Sequence, residues 1–510
     1  MNLSVGDNPT VAAAVADWLA ARGVERVYGL CGGHVLPIWD EVAGRGIRVV
    51  DVRHEGAAVH MAHAEAELTG RPGVALVTAG PGLTNAVTAI ANAAASRVPV
   101  VVISGRVPRP QTGMGGLQDI PQAAVVAPLC RRAGPALERF LAETGALHLD
   151  TAESRGALAE GHPASVPAVR GRVMAEADTV VTLERRLDFQ LAYGSRAVFT
   201  AGGTPAPPGT AGGTPAPPGA ENARFVRIGL PREERADNRR ADAELRCGSA
   251  VALEALLGAG CRPADPDGAW RGEVMADNAA RAGRLAERLR RCGPGSDGRL
   301  HPYTLIAALN DVITPDSVVI ADGGDILSFA RVALRAPTWL DPGPLGCLGV
   351  GTPFAVAAAL AGGGRPVVAL VGDGSFGFTA LEIDTAVRTG ARAVIVVANN
   401  EGWNIERHDQ LANYGGRLVG VELPGCRYDR MARAFGAHGE RVETAAGLPG
   451  ALKRALEAAP AVVDVAVTRD AVSPDFTSGL AGVPDRQALS VWDEAERRRL
   501  SGFGDLGSLV

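Results

Sequence analysis

Short β-branched runs alternate with alanine-rich helical stretches at both ends of this chain, and no other feature narrows its possible folds as far. Near the start, residues 48–52, 74–77 and 98–103 read as buried parallel strands, with helical patterns at 57–68 and 84–95 between them. The same grammar returns at 317–321, 366–371 and 393–398. Strands this continuously apolar need cover on both faces, which means α/β layers on parallel sheets. The region between is poorer in strands, with 179–183 and 225–229 the best candidates. A chain of 510 residues exceeds what one hydrophobic core organises, so several domains are expected.

Two stretches interrupt the grammar. Residues 200–209 and 210–219 are an identical decamer, TAGGTPAPPG, whose Gly and Pro read as an extended surface insertion. Residues 231–246 are rich in both charge signs and read as a solvated surface segment.

Composition removes several function classes. A net charge of -5 offers no electrostatic footprint for nucleic acid or an anionic membrane. The seven cysteines, at 31, 130, 247, 261, 292, 347 and 426, form no C-x-x-C pair, which argues against a zinc site or a disulfide framework. Residues 342–364 are uncharged, yet Gly, Pro and Ala make them too weakly apolar for a convincing membrane span. The first ten residues lack the basic-then-apolar pattern of a signal peptide, and the expected location is the cytoplasm.

The sharpest local motif is Gly372-Asp373-Gly374-Ser375-Phe376-Gly377, directly after an apolar run. Its glycines satisfy the dinucleotide fingerprint G-x-G-x-x-G. The carboxylate of Asp373, however, repels phosphate at that turn unless a divalent cation lies between them. Mg²⁺ takes oxygen ligands, some of them from substrate phosphates. The following strand ends in Asn399-Asn400, the second of these 27 positions after Asp373, and ligands in such sheets collect at strand carboxyl ends. Asp373 and Asn400 can therefore share one Mg²⁺ with a diphosphate.

GDG followed by NN at this spacing is similar to the signature of thiamine diphosphate enzymes. The resemblance implies Mg²⁺ held by Asp373, Asn400 and the carbonyl of Gly402, with Gly372, Gly374 and Ser375 against the diphosphate. Residues 27–132 resemble the pyrimidine-binding domain of the same enzymes, through VYGLCGGHVLPIWDEV, VVDVRHEGAAVH, GVALVTAGPGLTNAVTAIANA and VPVVVISGR. Within that likeness Glu55 takes the place of the glutamate that activates the cofactor through its aminopyrimidine. By itself an acid in a helix's first turn complements the dipole. Gly80 would border the cofactor, the carbonyl of Gly346 would accept from its amino group, and Leu348 would wedge it into a bent shape.

Through Leu30-Cys31-Gly32-Gly33-His34, Gly116-Leu117-Gln118, NNEGWNIERHDQ and RLDFQLAYG the chain resembles, among these enzymes, the group of acetolactate synthase, benzaldehyde lyase and 2-hydroxyacyl-CoA lyase. The likeness places His34 as acid–base on a substrate hydroxyl and Gln118 in the active site; the alternative for His34 is a turn-capping histidine. It implies a three-domain α/β architecture: a pyrimidine-binding domain at 1–132, truncated at its end, a shortened Rossmann-like middle domain at 133–292, a diphosphate- and Mg²⁺-binding domain at 293–475, and a tail at 476–510. The implied activity is carbon–carbon cleavage or carboligation on 2-oxo acids or acyloins, in a homodimer or homotetramer. Simple 2-oxo acid decarboxylation, or an inactive paralogue serving as a partner subunit, are the alternatives. Some relatives carry FAD or ADP in the middle domain; neither is assigned here.

Overall fold

The computed structural model of the chain describes residues 10–107, 116–126, 166, 169–177, 179–183, 224–228, 241–247, 249–261, 268–423 and 425–478. The decamer repeat and the expected truncation near 132 lie outside them. The three sheets among the described residues are parallel, as the strand–helix alternation requires.

The first sheet has the order β2-β1-β3-β4, built from β1 (Arg26–Gly29), β2 (Arg48–Asp51), β3 (Gly73–Val77) and β4 (Val100–Ser104). Every residue of the interior strand β3 is buried, whereas β4 at the edge is half-buried throughout. A small sheet, β5-β6-β7, joins β5 (Thr179–Leu183), β6 (Arg224–Ile228) and β7 (Ala243–Leu245) in a second compact unit. Within the stretch 231–246, read as a solvated surface segment, residues 243–245 form a strand on β6 and stay largely exposed there. As an edge strand, β7 keeps Glu244 and Arg246 paired at the surface, which disguised it as a loop.

The third sheet runs β12-β13-β11-β10-β8-β9, with β8 (Val318–Asp322), β9 (Thr338–Leu340), β10 (Val367–Gly372), β11 (Ala393–Asn399), β12 (His438–Val442) and β13 (Ala461–Ala466). It belongs to the same compact unit as the first sheet. Between the two sheets lies the helix Glu55–Thr69, which packs on the helix Pro81–Ser96 and on the helix Gly351–Ala361. It is buried without interruption from Glu55 to Ala66, and its alanines let neighbours approach closely. One such approach fixes a glycine: a Cβ at Gly73 would stand 1.9 Å from the Ala62 carbonyl oxygen.

The uncharged run 342–364 becomes a 3₁₀ turn, Gly343–Leu345, followed by the helix Gly351–Ala361, whose residues 351–358 are all buried. Eleven residues rise only about 16 Å, so its all-round apolarity marks a core helix. Among the described residues no helix is long and apolar enough to cross a membrane.

Candidate active site

The register of the third sheet sets Asp322, Gly372 and Asn399 at neighbouring carboxyl ends of β8, β10 and β11. The chain leaves β10 directly into the helix Asp373–Thr379, so Asp373 opens a helix N-terminus. Leaving β8, Gly323 turns at φ +113°, a conformation suited to glycine, into the helix Gly324–Ala333. Gly323 stands so close to Gly372 that a Cβ on it would meet the Gly372 nitrogen at 3.1 Å.

Asp373 and Asn400 converge on one point. The Gly402 backbone N–H donates to Asp373 Oδ2 and to Asn400 Oδ1, each at 3.1 Å. The backbone there is held from behind: Arg469 donates to the carbonyls of Asn400 and Glu401, each at 2.6 Å, and Tyr428 donates to the Asp373 carbonyl. Gly374 is required by the Trp403 ring, which a Cβ would meet at 2.5 Å. Ser375 is buried, and its Oγ accepts from Gly349 N at 2.9 Å. Asp322 Oδ2 accepts from Gly349 N at 3.1 Å and Gly351 N at 2.8 Å, tying the Gly346–Gly351 loop to the same edge. In that loop Gly346 is exposed at φ +66° and Leu348 is half-buried. Burial raises Asp373 and Asp325 to about 7 and Asp322 to about 6.

The first sheet presents its own set at its carboxyl edge. Glu55 is 5% exposed and accepts from Asn85 Nδ2 at 2.9 Å. Gly80, at φ +57°, lies under Gln118, whose carbonyl a Cβ would meet at 2.7 Å, and Gln118 itself takes φ +66°. Gln122 secures this loop, accepting from Gly80 N and donating to Ser104 Oγ and the Gly105 carbonyl. His34 packs against Gly105, and its buried Nδ1 has no hydrogen-bond partner among the described residues. His34, Gly80 and Gln118 thus gather on one edge, after β1, β3 and β4.

Residues 9–125 match the family model "Thiamine pyrophosphate enzyme, N-terminal TPP binding domain", and residues 322–465 match "Thiamine pyrophosphate enzyme, C-terminal TPP binding domain". Over 566 aligned positions the chain is 31% identical to the "Probable acetolactate synthase" of Mycobacterium bovis, covering 92% of this chain and 97% of that protein. This chain belongs to the thiamine pyrophosphate enzyme family. The "2-hydroxyacyl-CoA lyase 2" of Caenorhabditis elegans is 26% identical, with 84% of each chain covered. The alignment with the mycobacterial protein is longer than the chain's 510 residues, so that relative carries internal segments this chain lacks.

For a thiamine pyrophosphate enzyme the diphosphate edge fits a divalent cation. Asp322, Asp325 and Asp373 are three acids on one edge, and burial penalises the charge of each. Among the described residues no three His, Cys, Asp or Glu side chains form a metal-holding group. A cation here would therefore take Asp373, Asn400, the Gly402 carbonyl and oxygens of the diphosphate.

Sequence reasoning missed four residues of this site. Asp325 Oδ2 accepts from Asn404 Nδ2 at 3.2 Å and Asn400 Nδ2 at 3.4 Å, which turns the Asn400 oxygen toward Gly402. Asp325 carried a usable signal, an acid behind a Gly-Gly turn after a strand, the same grammar as Asp373. Asn404, and Asn85 beside Glu55, are ordinary helix residues with no motif. The fourth, Glu382, contacts the segment leading into Glu55 and is taken up below.

Proposed function

We propose that the chain is a Mg²⁺-dependent carbon–carbon lyase or carboligase acting on 2-oxo acids or acyloins. The observation that carries this reading is the convergence of Asp373 Oδ2 and Asn400 Oδ1 on Gly402, within the C-terminal cofactor-binding domain. When bound, thiamine diphosphate supplies a nucleophilic thiazolium carbon and an electron sink for a bond made or broken beside a carbonyl. Asp373, Asn400 and the Gly402 carbonyl hold the cation, while Gly372, Gly374 and Ser375 face the diphosphate. The Gly346 carbonyl would accept from the aminopyrimidine, Leu348 would support the cofactor, and Gly80 would border it. Glu55 would hold or move a proton at the pyrimidine ring from its buried position. His34 serves the substrate hydroxyl as acid–base and Gln118 orients the substrate. Both relatives' names, acetolactate synthase and 2-hydroxyacyl-CoA lyase, fit bond-making or bond-breaking beside a carbonyl.

The test is oxygen-free turnover of pyruvate, acetoin, benzoin and a 2-hydroxyacyl-CoA with thiamine diphosphate and Mg²⁺. Carboligation or acyloin cleavage should exceed release of free aldehyde from pyruvate. Aldehyde as the dominant product would favour simple decarboxylation, and no turnover with a saturated cofactor site would favour an inactive subunit.

The domain division at 1–132, 133–292, 293–475 and 476–510, and a cytoplasmic location, belong to the same reading. So does assembly as a homodimer or homotetramer, in which Glu55 of one subunit meets Asp373 of another. Large apolar side chains stand exposed around the site, Phe378 at 64%, Leu381 at 58% and Leu345 at 47%, and association would cover them. Active enzyme should sediment at twice the chain mass or more; activity in a monomeric species would refute shared sites.

A further inference from the structure

Glu382 opens the helix Glu382–Thr389, nine positions after Asp373, and is 1% exposed. Its carboxylate is aimed at the other cofactor-binding domain of the same chain. Oε1 accepts the backbone N–H of Arg53 at 3.0 Å; burial raises the carboxyl above its ordinary range, and the Thr385 hydroxyl and the backbone N–H groups of Arg53 and His54 oppose that rise. Oε2 accepts from Thr385 Oγ1 at 2.6 Å, which fixes the carboxylate's orientation. Arg53 and His54 are the last residues before the helix Glu55–Thr69, with His54 as its N-cap in extended conformation. A buried carboxylate thus holds the two backbone groups that set where Glu55 begins.

Around this contact runs a surface layer of ion pairs. Arg53 Nε donates to Asp384 at 2.6 Å, Arg388 donates to Asp51 Oδ1 at 2.7 Å and to Asp384 at 2.7 Å, and Arg48 donates to the Thr389 carbonyl. These pairs are partly exposed, so solvent and salt weaken them. The Glu382 contact is buried and charge-assisted, with directional donors, so it is the part that can fix a position rather than add general adhesion.

We infer that Glu382 is a positioning residue for Glu55: by holding the backbone N–H groups of Arg53 and His54, it sets the pose in which the Glu55 carboxylate meets the aminopyrimidine. This rests on the role of Glu55 proposed above. Glu382 touches no cofactor atom itself. Its loss should therefore spare the grip on the diphosphate and slow the step that depends on Glu55, since small misplacements of a reacting group cost roughly tenfold to a hundredfold.

The experiment uses the full-length enzyme with thiamine diphosphate and Mg²⁺, in Glu382→Gln and in the milder Thr385→Val, which keeps the carboxylate but frees its orientation. Three quantities are read: cofactor affinity by calorimetry, deuterium exchange at the thiazolium carbon of the bound cofactor, and amide exchange of the peptide spanning 52–56. In Glu382→Gln the peptide should lose protection and carbon exchange should slow about tenfold or more, with affinity within about threefold of wild type. Thr385→Val should shift the same two rates less, and it decides the question if Glu382→Gln does not fold. Arg53→Ala, which removes only the ion pair, should leave carbon exchange at the wild-type rate. Loss of amide protection with unchanged carbon exchange would overturn the inference, as would unchanged protection. Glu55→Gln is run alongside: wild-type carbon exchange there would sink the role of Glu55, whereas slow exchange there with a normal Glu382→Gln sinks only the positioning role.

Discussion

Asp373→Asn should bind thiamine diphosphate roughly a hundredfold to a thousandfold more weakly than wild type in the presence of Mg²⁺. The substitution keeps the side chain's shape and one oxygen for the Gly402 N–H, so the fold has little reason to change. What it removes is the negative charge that a cation needs opposite the diphosphate. Stranding one partner of a buried charge pair costs about 3–5 kcal/mol, and about 1.4 kcal/mol is tenfold in affinity. The unliganded variant should melt no lower than wild type, because burial already opposes charge on Asp373.

The pH dependence has a definite sign. Burial raises the Asp373 carboxyl to about 7, so without a cation it retains its proton well into the neutral range. Such a group stabilises the unliganded fold fully at low pH and ceases to as pH rises through about 7. Mg²⁺ binds only the carboxylate, so wild-type affinity should rise from pH 6 to 8, and the gain in Tm on adding cofactor should be largest at pH 8. Asp373→Asn should lose most of this dependence, and the neighbouring Asp325 carries whatever remains. Calorimetry at three pH values is the check. An affinity within threefold of wild type would move the metal away from Asp373, with Asp325 the next carboxylate on the same edge.

How far the sequence was legible follows from the range of each interaction. Interior strands such as β3, β8 and β10 announce themselves because burial on both faces leaves continuous apolar runs. Edge strands do not. In β7 the pattern is broken by Glu244, and in β12 Arg441 is a strand residue because it pairs with buried Asp464 of β13. Asp373 and Asn400 were legible because each follows a readable strand and their spacing sets both on one sheet edge. Glu382 was not. In ALEIDTAVRT it reads as one acid of an amphipathic surface helix, and only packing against residues 53 and 54 makes it a buried acceptor. Asn85 is silent for the same reason: its partner Glu55 lies thirty residues away, and no local pattern joins them.

Glu55→Gln separates holding the cofactor from activating it, and the two should respond very differently. Glu55 opens the helix Glu55–Thr69, whereas the Asp373 and Asn400 oxygens proposed to hold the diphosphate end lie at the edge of the third sheet. In its proposed role it would make a single hydrogen bond to the pyrimidine, so glutamine should weaken binding only several-fold to about a hundredfold, as a hydrogen bond to a charged group contributes roughly 1.5–3 kcal/mol. Glutamine also keeps an oxygen for Asn85 Nδ2, and the side chain stays in place. It cannot exchange a proton with the ring. Deuterium exchange at the thiazolium carbon should therefore slow by roughly 10²–10⁴, the range typical of general acid–base groups. The measurement is made on enzyme saturated with cofactor, quenched in acid and read by NMR, so that weaker binding cannot imitate slower chemistry. Asn85→Ala supplies the graded case, since it removes the donor that orients the carboxylate but leaves its proton chemistry, and its exchange should fall between wild type and Glu55→Gln. A wild-type rate in the saturated glutamine variant would reduce Glu55 to a carboxylate that complements a helix N-terminus, and cofactor activation would have to come from another group at the pyrimidine end.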